Sequence, residues 1–218
     1  TLSELAKLLR VWATCCPVEQ AYGLDARDYR PVHDVPAGTT GLATSIPARL
    51  HPRVLECDLL LAIGLVEPHQ LAGFSGGPKT VAIGCASSET IARLHAPALL
   101  EHAHTRLGNL DGNPLHLALQ WIAEQASLRF VLNIAESNEG EPYAAAAGPP
   151  GLVLEDLVRR GKPYVASPVA GGPYDAVFAG VLPPKDTNLY QASRPQTYVA
   201  FAREPLVREG GWIVSAAA

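Results

Sequence analysis

Methionine is absent from this sequence, even at position 1. A translated chain starts with methionine, so the sequence is expected to be processed or truncated, with truncation the favoured reading. Long apolar runs are absent too. The longest, from Leu59 to Val66 with Gly64 inside it, falls far short of the roughly 20 residues of a membrane helix, so no span is expected. Charge is scarce, at 17% of residues against a usual ~25%, while 48% are hydrophobic, which excludes a disordered chain. The net charge of −4 is too mild to suggest a nucleic-acid or anionic-membrane partner. Cysteine is sparse and unpatterned. Cys15 and Cys16 are adjacent, Cys57 and Cys85 isolated, so neither a zinc site nor a disulfide framework is spelled out. Adjacent thiols read as small core residues, and a cytoplasmic protein is expected.

Glycine and proline, 19 of each, are by contrast abundant, and the chain is loop-rich without being low-complexity. Its 218 residues suit one large or two small domains of about 100–200 residues each. A leucine stripe at Leu2, Leu5, Leu8 and Leu9 predicts a helix over 1–10. Leu59–Gly64 is a continuous apolar run that stops at glycine, which predicts a strand buried on both faces, as in a parallel sheet. Helices are predicted from Ser87 or Ser88 to before Pro97, over Leu115–Ser127, and over Leu152–Arg160 with Gly161 as its stop. A strand is predicted over Phe130–Ile134. Residues 161–170 read as a linker. Beyond them come a strand over Tyr174–Leu182, a helix from Asn188 to about Arg203 and a strand over Trp212–Ser215, the pattern of a βαβ unit. The expectation is an α/β protein of two domains, 1–160 and 171–218, with parallel or mixed sheets, flanking helices and the active site in the cleft between the domains.

Chemistry concentrates between Glu67 and His95. His69 follows a strand end directly, where ligands of open α/β sheets bind. Glycines at 73, 76 and 77 can let backbone N–H groups converge on an anion, with Ser75 and Thr80 adding hydroxyls and Lys79 a charge. The segment resembles a phosphate loop of nucleotide hydrolases, but Pro78 stands where that loop needs a glycine N–H. A phosphate-loop transferase is therefore disfavoured, and a smaller phosphate remains open. Lys79 reads as an electrostatic clamp, a covalent tether or a solvated loop lysine. His95 lies 16 residues further on, and a return turn can bring it back to the loop. His33–Asp34 reads as a solvated turn, and His102, His104 and His116 as surface or helix-end residues.

The run Glu67-Pro-His69, Ala72-Gly73-Phe74-Ser75-Gly76-Gly77-Pro78-Lys79, followed by His95, resembles the nickel-dependent lactate racemase family. Asn109-Leu-Asp-Gly-Asn-Pro114 and Pro184-Lys-Asp-Thr-Asn-Leu-Tyr-Gln-Ala192 resemble two further segments of that family, so the likeness runs along essentially the whole chain. A full member is about twice this length, so the sequence reads as a fragment lacking both ends. The resemblance implies a racemase or epimerase of a small 2-hydroxy acid, such as lactate. It implies a nickel-pincer nucleotide, a pyridinium mononucleotide that holds nickel, and cofactor-synthesis proteins as partners. Lys79 would tether the cofactor covalently. Gly73, Phe74, Ser75, Gly76 and Gly77 would line it. His95 would ligate nickel, and imidazole suits that metal. His69 would be one of two histidines exchanging the substrate hydroxyl proton. Tyr190, Gln191 and Arg194 would bind substrate. The second proton-transfer histidine and a substrate arginine are expected upstream of Thr1. Arg194 replaces a lysine of the family and precedes Pro195. It either holds the single carboxylate or shifts preference to a larger or more acidic 2-hydroxy acid. The competing expectation is a non-catalytic nucleotide- or metal-binding homologue of the same fold.

Overall fold

The computed structural model describes residues 28–137, 140–166, 169–181, 183, 186–202 and 204–217. The helix expected over 1–10 and the Cys15–Cys16 pair lie outside the described residues. In chain order the first elements are β1 (Arg30–Pro31), α1 (Ala37–Thr40), β2 (Arg49–Leu50), α2 (Pro52–Glu56) and β3 (Leu60–Val66). Then come β4 (Pro68–His69), β5 (Gly73–Phe74), α3 (Lys79–Ala82), α4 (Ser88–Leu94), α5 (Pro97–Leu100) and α6 (Pro114–Gln125). After them follow β6 (Leu128–Glu136), β7 (Pro142–Gly148), α7 (Pro150–Val165), β8 (Tyr174–Val181), α8 (Leu189–Ala192), α9 (Arg194–Ala200) and β9 (Val207–Ala217).

The mixed α/β class is as expected. β3 and β6 pair in parallel across the helices between them, and β7 adds antiparallel, giving the order β3-β6-β7. The strand side chains alternate between faces. Ala62 and Val66 of β3, with Val131 and Ala135 of β6, join Leu119 and Ile122 of α6 and Val153, Leu154 and Leu157 of α7 in one core. The opposite face of β3 is open, with Leu61 54% and Ile63 51% exposed. The expectation of a strand buried on both faces is thus corrected: a continuous apolar run does not report how many layers cover it. β7 was not anticipated, because its run Ala144–Ala147 lacks the β-branched and aromatic residues that mark strands.

Some helix starts are fixed by a capping side chain. Ser87 accepts from the Thr90 N–H at α4, and Asn188 from the Gln191 N–H at α8. Gly161 does not stop α7, which runs on to Val165, so residues 161–165 are helix rather than linker. A Cβ at Gly161 would sit 2.1 Å from the Tyr143 hydroxyl, so this glycine permits close helix–sheet approach. The single helix expected over 188–203 is two, broken at Ser193. β8 and β9 pair in parallel as a separate two-stranded sheet, with α8 and α9 in the crossover.

Candidate functional site

β3 ends at Val66, and the chain turns back at once through the small β4–β5 ladder, in which His69 faces Gly73. Within that turn the His69 Nδ1 accepts from the Leu71 N–H at 3.3 Å and the Ala72 N–H at 3.1 Å. The turn is braced from behind by Asn113, which is fully buried. Its Nδ2 donates to the Leu71 carbonyl at 2.8 Å and the Asn109 carbonyl at 3.0 Å, while its Oδ1 accepts the Leu115 and His116 N–H groups that open α6. The Asn109–Pro114 segment is therefore a buttress under the histidine. Gly73 lies against it so closely that a Cβ would come 2.1 Å from the Asn109 carbonyl oxygen.

The glycine loop is packed rather than open. The Gly77 N–H donates to Asn133 Oδ1 at 2.9 Å, and the Ser75 N–H to the Glu67 carbonyl at 2.9 Å. The Ser75 hydroxyl donates to the Leu65 carbonyl at 2.8 Å and accepts from the Glu67 N–H at 2.9 Å. These N–H groups and this hydroxyl serve the fold, which corrects the picture of a loop whose glycines and Ser75 all face an anion. Gly76 instead lets the backbone run beside β3, where a Cβ would meet Val66 Cγ2 at 2.7 Å and the Leu65 carbonyl oxygen at 2.9 Å. Gly73, Phe74, Gly76 and Gly77 are all buried in the segment that leads into α3, which begins with Lys79.

Four cation-forming side chains converge there. Burial, then the charge of Arg194, pushes the Lys79 amine down from its usual value, and Glu67 pulls it partly back. Burial takes His69 down to about 3, with Lys79, Arg194 and His95 each adding to the fall. Those influences put Lys79, His95 and Arg194 within electrostatic reach of His69, so the βαβ unit of β8 and β9 brings Arg194 to the loop that carries His69 and Lys79. His95 ends α4, and its Nδ1 lies 2.7 Å from the Ile91 carbonyl. A carbonyl only accepts, so Nδ1 carries the proton and Nε2 keeps a lone pair, the arrangement of a metal-binding imidazole. Among the described residues no three His, Cys, Asp or Glu side chains gather as a metal cage.

Gln191 is half-buried at the start of the crossover, where its N–H is capped by Asn188 Oδ1 at 2.9 Å. The backbone of Tyr190 lies beside it in α8. His33 and Asp34 are exposed. His102 and His104 are exposed as expected, with His104 Nδ1 3.0 Å from the Asp111 carbonyl. His116 is at a helix start but buried, and burial pushes it down to about 4. The supporting roles of Asn113 and Asn133 were not read from the sequence. Their signals are an asparagine just before Pro114 at a helix start and a lone polar residue inside an apolar strand.

The fold and site define a class: α/β proteins in which a half-buried lysine and two histidines gather beside an arginine at the end of a parallel strand. Residues 22–108 match the lactate racemase N-terminal domain. The lactate racemase of Thermoanaerobacterium thermosaccharolyticum is 34% identical over 166 residues, 75% of this chain and 37% of that protein. The lactate racemase of Lactiplantibacillus plantarum is 32% identical over 165 residues, 74% of this chain and 37% of that protein. Among solved structures, the lactate racemase apoprotein from Thermoanaerobacterium thermosaccharolyticum superposes with a TM-score of 0.75 at 26% identity, covering 88% of this chain and 43% of that one. A Thermotoga maritima protein shares the fold, with a TM-score of 0.69 at 23% identity, over 87% of this chain and 48% of its own. The chain is thus a lactate-racemase-like sequence, its residues 22–108 matching the N-terminal domain of that family. It spans little more than a third of the length of the curated relatives it matches.

Proposed function

We propose that the protein containing this chain isomerises a small 2-hydroxy acid, lactate or a relative of it, with a nickel-pincer nucleotide as cofactor. The observation that carries the reading is that Lys79, His95 and Arg194 all lie within electrostatic reach of His69, with Arg194 also acting on Lys79. The residues fit such a group. An amine held below its usual pKa is a nucleophile, as a covalent tether requires. His95 offers a free Nε2 lone pair to nickel, and the ligands it cannot supply would come from the cofactor. The packed loop of Gly73, Phe74, Ser75, Gly76 and Gly77 would line the cofactor. The cofactor, when bound, would supply reversible hydride acceptance, which lets a 2-hydroxy acid pass through its planar 2-keto form.

This chain's own residues would then position the acid. The Arg194 guanidinium, with Tyr190 and Gln191, receives the carboxylate. His69 meets the oxygen on C2. The site lies between residues 1–160 and 171–218, taken as two domains, and the cofactor-synthesis proteins are partners in loading it. The test is the intact mass and nickel content of the whole protein made alongside those enzymes. A mass adduct that is lost in Lys79→Ala, and nickel that is lost in His95→Ala while the adduct stays, are expected. An adduct mapping to another residue refutes the tether. An adduct with no racemisation of any 2-hydroxy acid makes the protein a carrier of the cofactor instead.

A further inference from the structure

Both amide hydrogens of Asn113 are spent on the backbone around His69. We propose that Asn113 is a positioning residue for that histidine, acting through one peptide group: it holds the oxygen of the Leu71–Ala72 amide, whose N–H meets the His69 ring. The role in turnover rests on the 2-hydroxy acid reading above; the mechanical link does not.

The Leu71 carbonyl and the Ala72 N–H are the two ends of a single planar unit and point in opposite directions. Asn113 Nδ2 donates to the carbonyl end at 2.8 Å, and the N–H end donates to His69 Nδ1 at 3.1 Å. A bond at the oxygen polarises the peptide and makes its N–H a better donor, so the two bonds strengthen each other. The second hydrogen of the Asn113 amide goes to the Asn109 carbonyl at 3.0 Å. That carbonyl presses on Gly73, where a Cβ would come within 2.1 Å of its oxygen, and Gly73 is the ladder partner of His69. Both donors of Asn113 therefore reach His69, one through its ring and one through its backbone. Asn113 and Ala72 are fully buried, which keeps bulk water from replacing these bonds. Capping alone does not call for this residue. Serine or aspartate would also cap α6 through an oxygen, but only asparagine joins that oxygen to two N–H donors on so short a side chain.

Exchange of the substrate hydroxyl proton takes the His69 ring through its imidazolium form, and the Ala72 N–H must then swing off Nδ1. With its oxygen end held, the peptide pivots and returns to one place, so the ring keeps its distance from the C2 oxygen. Without the brace the peptide and ring drift together. A misplacement of about 1 Å at a reacting contact can cost on the order of a hundredfold in rate.

The test uses the whole protein and two variants that keep an oxygen to cap α6 but lack the donors, Asn113→Ser and Asn113→Asp. Amide-resolved hydrogen exchange is read first. The Ala72 N–H is expected to exchange roughly tenfold faster in both variants, as the loss of one hydrogen bond allows. The reference is Val131 and Ile134, fully buried in β6, which report global stability. Leu115 and His116, still capped, should move no more than those two. An Ala72 N–H that is unchanged, or that moves only in step with β6, makes Asn113 an ordinary structural residue and overturns the link. Steady-state racemisation, by protein made alongside its cofactor-synthesis enzymes, is read second. Each variant should lose roughly tenfold to a hundredfold in kcat while KM changes little, because Tyr190, Gln191 and Arg194 are untouched. A loss confined to KM, or an unchanged kcat, overturns the positioning role. A native protein that turns over no 2-hydroxy acid fails the isomerase reading instead, and the exchange result then decides the link by itself.

Discussion

Replacing Asn113 by alanine tests whether the segment before Pro114 is a buttress or a plain loop. Four hydrogen bonds end on this one buried side chain. Losing the cap of α6 costs about 1 kcal/mol. The Leu71 and Asn109 carbonyls each lose a buried donor, at roughly 1 kcal/mol apiece or somewhat more. Because the bonds share one side chain their sum is not strictly additive, and ~2–4 kcal/mol is the expected loss. For a chain of this size that lowers the thermal midpoint by roughly 5–15 °C. Asn113→Ser separates the two contributions. A serine hydroxyl still caps the helix but is too short to reach the Leu71 carbonyl, so Ser should recover about 1 kcal/mol over Ala. The assay is chemical or thermal unfolding of the three proteins side by side. A loss below about 1 kcal/mol in Asn113→Ala would refute the buttress, because no single buried bond would then be at stake. Equal stability of the Ser and Ala variants would refute the capping part alone.

Three further outcomes follow from the same geometry. Asn133→Ala leaves the Gly77 N–H without its acceptor and should cost about 1–3 kcal/mol, whereas Asn133→Asp, which keeps an oxygen there, should cost less; equal losses on denaturation would speak against the bond. His69 and His116 both titrate below the ~6.5 of an unfolded imidazole, so between those values the unfolded chain binds more protons. Their contribution is intact above pH ~6.5 and is lost as pH falls toward 4 and then 3, by up to roughly 1.4 kcal/mol per pH unit for each ring. A His69→Gln/His116→Asn double variant whose stability falls with acid as steeply as the native protein's would contradict this. If Arg194 holds a second substrate carboxylate, malate should be racemised better than lactate and Arg194→Lys should narrow the gap; lactate as the best substrate of both proteins removes the specificity claim and leaves the isomerase reading intact.

What the sequence made legible is what local chemistry decides. The parallel β3–β6 pair showed as two apolar runs with helical periods between them, and the helix starts at Ser87 and Asn188 sit where a short polar side chain precedes a helix. What stayed hidden depends on contacts made at a distance. Gly161 looks like a helix stop because glycine usually is one, yet here the Tyr143 hydroxyl occupies the space that a Cβ would need. The glycines at 73, 76 and 77 look like an anion cradle for the same reason. Their neighbours are instead the Asn109 carbonyl, β3 and Leu154, and the N–H of Gly77 belongs to Asn133, 56 residues away. A glycine in a motif thus has two physical uses, offering its N–H or letting another chain come close, and only the partner tells them apart. The histidines pose the same problem. His69 and His95 are one residue type within one motif, and the spacing suggests chemistry for both. One faces backbone donors and the other a backbone acceptor. That difference follows from a turn braced by Asn113 and from the last turn of α4, so the chemistry of each imidazole is decided by backbone geometry that residue identity alone does not encode.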